Sequence, residues 1–185
     1  MIDAGDLSER LELLELEETQ PDTWEWVSRG RLWAQVEVDG GKNLFSSVGI
    51  GARNAKLVLR TRPLSLCQAL RWRGQHLFLT SITKLDRMHL NVQAALVEVH
   101  EVSLYRDADT VEKTFPGVLT ERYVRHEQEW PMSVNQVSLV LVTPKPITLE
   151  PGSLIQARGA FWEVLVPREL DEFKNEYEIG RTVDL

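Results

Sequence analysis

The chain has 185 residues, 43% hydrophobic and 26% charged, the make-up of a globular protein of one large or two small domains. No run approaches the roughly 18 apolar residues of a membrane helix, and the acidic opening, Met1-Ile2-Asp3-Ala4-Gly5-Asp6, does not read as an export signal. The net charge of −7 is unevenly spread: residues 1–28 carry nine acids and one base, residues 29–99 eleven bases and four acids, residues 100–185 nine bases and fifteen acids.

Period-two patterning runs along the whole chain and predicts an all-β fold. Residues 9–18 alternate Leu11, Leu13 and, after Leu14, Leu16 with acids, as in a half-exposed strand. Residues 31–38 place Leu32, Ala34, Val36 and Val38 on one face and Trp33, Gln35 and Glu37 on the other. The segment from Asp39 to Asn54 holds four glycines and two serines, yet also Leu44, Phe45, Val48 and Ile50. Such apolar residues are out of place in a plain linker, and a connection this long is usually functional. Residues 56–62 set Leu57 and Leu59 against Arg60 and Arg62. Cys67, the single cysteine, cannot close an internal disulfide and reads as a small core residue within Leu66-Cys67-Gln68-Ala69-Leu70. Residues 69–72 and 75–82 flank Arg73-Gly74, a hairpin signal, and residues 94–99 form a further apolar strand. Near the end, residues 171–178 are the one stretch that would also suit a short helix.

An internal repeat follows from spacing. Arg73-Gly74 and Leu85-Asp86 recur 85 residues later as Arg158-Gly159 and Leu170-Asp171, with Leu70 matching Ile155 and Leu79 matching Val164. Upstream, Leu57-Val58-Leu59 resembles Leu139-Val140-Leu141 across a three-residue insertion, and Arg10-Leu11-Glu12-Leu13 has a counterpart in Glu101-Val102-Ser103-Leu104. This predicts two small tandem β-barrel or β-sandwich domains, residues 1–99 and 100–185, the second related to the first.

No catalytic constellation emerges. The four histidines, His76, His89, His100 and His126, are scattered with no metal-ligand spacing. Gly49-Ile50-Gly51 lacks the rest of a phosphate-cradling motif, and no serine sits in a nucleophile elbow. The carboxylates Glu17, Glu18, Glu169, Asp171 and Glu172 are explained by charged strand faces and turns. The chain is therefore expected to be non-enzymatic, without cofactor or metal. Six bases and no acid lie within residues 53–73. They read either as solvated faces compensated by the acidic N-terminal segment or as patches that steer one subunit against another. Of the six tryptophans, Trp33, Trp72 and Trp162 are placed in strands as core or edge packing. Trp24, Trp26 and Trp130 lie near turns, where they are candidates to anchor an interface.

Residues 7–99 resemble the head-tail joining (head-completion, stopper) family of long-tailed bacteriophages. The resemblance rests on ordered motifs: Arg10-Leu11-Glu12-Leu13, a turn-rich stretch ending in Trp24-Glu25-Trp26, the core strand Arg31-Leu32-Trp33-Ala34-Gln35-Val36-Glu37, and the hairpin Arg71-Trp72-Arg73-Gly74-Gln75-His76-Leu77-Phe78. Residues 100–185 follow the same plan more distantly, and the tandem arrangement departs from the single-domain members. The resemblance implies a ring-forming subunit of the virion's head-tail junction, assembled in the host cytoplasm. Its partners would be the portal and adaptor above and the tail terminator or tail tube below, with non-specific contact to packaged DNA. It also implies that the long loop docks the adaptor or enters the channel; Asp39, Lys42, Asn43, Leu44, Phe45, Val48, Ile50 and Arg53 are its candidate contacts. The family's rings of twelve translate here into twelve chains, or into six two-domain chains. Two other readings stay open, a tail-terminator ring subunit and a carbohydrate- or peptide-binding β-sandwich.

Overall fold

The computed structural model describes residues 4–38, 53–107, 110–123 and 137–182, and among them the architecture is all-β, with one 3₁₀ turn at Ala4–Asp6. The chain divides into two compact units, with the change from one to the other between Val99 and His100. The first contains β1 (Glu9–Gln20), β2 (Thr23–Val38), β3 (Arg53–Arg60), β4 (Ala69–Trp72), β5 (Gln75–Lys84) and β6 (His89–Val97). The second contains β7 (His100–Asp107), β8 (Thr110–Tyr123), β9 (Val137–Pro144), β10 (Leu154–Ala157), β11 (Ala160–Arg168) and β12 (Lys174–Arg181).

In the first unit β1 pairs with β2 and β4, β4 with β5, β5 with β6, β6 with β3 and β3 with β2, all antiparallel. The pairing thus closes into a six-stranded ring with no free edge among these strands. Alternate residues turn inward, and the interior is filled chiefly by leucine: Leu11, Leu13, Leu32, Leu57, Leu59, Leu70, Leu77, Leu79 and Leu90. At the β1–β2 bulge Leu13 faces Gly30 but Leu14 faces Ser28, so Arg29 is the extra residue. Gly30 takes φ +148, a value that favours glycine. Outside the ring, Leu14, Ala69, Phe78 and Ala95 are also buried.

The second unit repeats the first, strand for strand. β7 pairs with β8 and β10, β10 with β11, β11 with β12, β12 with β9 and β9 with β8. The local geometry repeats too. Arg73 and Gly74 have φ 49 and 79, Arg158 and Gly159 have φ 53 and 74, and each pair closes a two-residue hairpin. Asp86 Oδ1 accepts the N–H groups of Met88 and His89 at 2.7 and 2.8 Å, and Asp171 Oδ1 accepts those of Phe173 and Lys174 at the same distances. Even the β5–β6 irregularity between Leu79 and Ser81 recurs in β11–β12, between Val164 and Val166. Ala34, fully buried in the first ring, corresponds to Gly117, where an added Cβ would lie 2.7 Å from Leu141 Cδ1.

Register corrects several expectations. Leu57 faces Val92 and Leu141 faces Tyr177, so Leu57 corresponds to Leu141 and not to Leu139; between this strand and the following hairpin the repeats differ by one residue, not three. Residues 174–181 form β12, not a helix, because Asn175, Tyr177 and Ile179 are buried in strict alternation. Cys67 is exposed in the β3–β4 connection rather than in the core, its N–H bonded to Ser65 Oγ at 3.2 Å. Trp33 points outward, because Leu32 and Ala34 on either side take the inner face.

Candidate interaction surface

Much of the acidic N-terminal strand is neutralised within the first unit. Glu9 accepts hydrogen bonds from Trp72 Nε1 at 2.8 Å and from Arg73 Nη2 at 2.7 Å, and the Arg73 guanidinium lies 4.8 Å from the Trp72 ring centre. The Trp72 bond first, and Arg73 second, hold the Glu9 carboxyl below the usual carboxylate range. Glu12 pairs with Arg71 at 3.4 Å, and Arg29 reaches both Glu15 and Glu17. Arg71 and Arg73 therefore belong to local charge compensation, and such exposed pairs contribute little stability each.

Arg53, Lys56, Arg60 and Arg62 form no ion pair among the described residues. Arg60, Thr61 and Arg62 border an open cleft of about 620 Å³, whose floor is Leu7, Leu32 and Leu59 and whose wall is Trp33, 58% exposed. Arg62 Nε is buried there with no hydrogen-bond partner among the described residues. The exposed Arg60 guanidinium beside an apolar floor makes the cleft receptive to an acidic group carried on an apolar one.

Of the candidate loop contacts, Asp39, Lys42, Asn43, Leu44, Phe45, Val48 and Ile50 lie outside the described residues. Arg53 is described: it opens β3, is exposed and stands opposite Leu96. The strands on either side of the loop pair directly, Val38 with Ala55 and Glu37 with Lys56.

The second ring closes the corresponding end with polar bonds. The Ile147 carbonyl accepts from Asn175 Nδ2 at 2.8 Å and Thr143 Oγ1 at 3.2 Å, and the Tyr177 hydroxyl accepts the Leu149 N–H at 3.1 Å. Burial pushes the Tyr177 phenol up to about 12.

His76 packs against Trp26 and Phe78, with ring centres 5.2 Å away in each case; burial first, and Arg71 second, push its imidazole down to about 4. His89 instead bonds the Asp86 carboxylate, at 2.9 and 3.0 Å, and His126 and Trp130 lie outside the described residues. Among the described residues no three of His, Cys, Asp and Glu come together as a metal site.

No protein-family model matches this chain, and no curated protein matches it significantly. The Trp33 cleft escaped sequence reasoning because Leu7, Leu32, Leu59 and Arg62 meet only through strand pairing. The available signal was residues 31–34, where a tryptophan occupies the face opposite the core.

Proposed function

We propose that this chain is a structural subunit of the head-to-tail connector of a tailed bacteriophage, a ring-forming head-completion (stopper) protein. It joins portal and adaptor to the tail and helps close the DNA channel. The observation behind this reading is that the motifs of the resemblance meet on adjacent strands of one closed ring. Arg10-Leu11-Glu12-Leu13 lies in β1, residues 31–37 in β2, and the Arg71–Phe78 motif forms β4, its turn and the start of β5. Leu11 faces Leu32 on one side and Trp72 on the other. An open tryptophan cleft flanked by unpaired arginines, on a β surface otherwise laced with ion pairs, suits docking to protein better than turning over a substrate.

Native mass spectrometry of the purified chain is the direct test, with six or twelve copies expected. Removing residues 41–51, or Phe45→Ala, is expected to leave the strand content and ring mass unchanged while weakening adaptor binding or DNA retention. A ring mass matching neither number would reject the assignment. The exposed Trp33 also favours a second reading, a carbohydrate-binding module; saturable glycan binding by a strictly monomeric chain would select it.

A further inference from the structure

The two units are alike in topology but opposite at two places, and these places complement each other. The first is the Trp33 cleft. Register places Pro116, Pro144 and Pro146 of the second unit where the first has Trp33, Arg60 and Arg62; the one cation at this place, Lys145 at the position of Thr61, is spent on the Glu169 and Asp171 carbonyls. The second place is the turn after β11. Leu170 is 102% exposed there and sits within Glu169-Leu170-Asp171-Glu172. The corresponding turn of the first unit, Lys84-Leu85-Asp86-Arg87, carries bases where this one carries glutamates.

We propose that residues 169–172 of one copy seat in the Trp33 cleft of another, giving a head-to-tail contact between copies of this chain. Leu170 meets Trp33 and the leucine floor, while Glu172 faces Arg60 and Arg62; Glu169 stays on the Tyr177 hydroxyl at 3.0 Å, and Lys145 Nζ holds the Glu169 and Asp171 carbonyls at 2.8 and 2.7 Å. The Asp171 carboxylate is already held by the amides of Phe173 and Lys174, which keeps the turn in shape before contact. Donor and acceptor surfaces are different patches, so the contact is heterologous and repeats into a ring when its rotation closes. This deepens the connector reading and rests on it only for ring closure.

The test is sedimentation velocity and native mass spectrometry of the full chain. Leu170→Asp and the pair Arg60→Glu/Arg62→Glu are each expected to weaken self-association by about thirty-fold or more, the scale of an interface hot spot. Leu170→Asp alters a fully exposed residue, so an unchanged melting curve separates lost contact from lost fold. Adding Glu172→Arg to the Arg60/Arg62 pair in one chain is expected to restore part of the assembly. Rings that persist in all variants would overturn the contact while leaving the ring reading intact. A wild-type chain that stays monomeric at all concentrations would overturn both. Binding of a short DNA duplex that is lost with Arg60→Glu/Arg62→Glu, without self-association, would give the cleft to nucleic acid instead.

Discussion

His76 shows how one buried side chain links packing to pH. Its ring lies between Trp26 and Phe78 with Nε2 buried and unbonded among the described residues, and burial lowers its pKa from 6.5 to about 4. Between these values the unfolded chain holds a proton that the folded one does not. Stability is therefore complete above about pH 6.5, declines as pH falls toward 4, and loses up to about 3 kcal/mol. In the second ring the matching position is Phe161, packed on Tyr105 at 5.4 Å. His76→Phe is thus expected to keep the fold and to flatten this decline. Urea midpoints at pH 7 and pH 4.5 check it; an equal acid loss in both proteins would contradict the assignment.

At the scale of elements, turns do as much as strands to set register. Each ring uses a two-residue turn with both φ values positive, at Arg73-Gly74 and Arg158-Gly159, and an aspartate that gathers two amides before the last strand. Asp171→Ala leaves the Phe173 and Lys174 amides without their acceptor, an expected loss of about 1 kcal/mol. Hydrogen exchange at these two amides should accelerate while the core amides of β11 and β12 stay protected. Fraying of all of β12 would mean that the turn, and not the pairing with β9 and β11, holds the strand.

For the whole molecule the decisive feature is asymmetry laid over repetition. The first 99 residues hold twelve bases and thirteen acids, and the remainder nine bases and fifteen acids, so the excess negative charge sits almost wholly in the second half. With Arg60 and Arg62 unpaired among the described residues, contacts between copies should be partly electrostatic. Raising salt from about 50 mM to about 500 mM, which shortens the screening length severalfold, is expected to weaken self-association. Sedimentation velocity across that range checks it; salt-independent assembly would point to an apolar contact alone.

The all-β class, most strand positions and the 85-residue repeat were legible in the sequence because they depend on local signals. Period-two alternation, glycine at positive φ and aspartate caps act within a few residues of themselves. The repeat even placed Arg158-Gly159 and Leu170-Asp171 in their structural roles. What the chain order could not convey was register across distant strands. Leu57 answers to Leu141 because each faces a particular residue of β6 or β12, and no alignment of one Leu-Val-Leu triplet on another could show that. Cys67 was misjudged because its apolar neighbours do not say whether the connection between β3 and β4 turns it inward, whereas Trp33 lies on the face that alternation gave it. The Trp33 cleft joins residues 7, 32–33 and 59–62, which only strand pairing brings together.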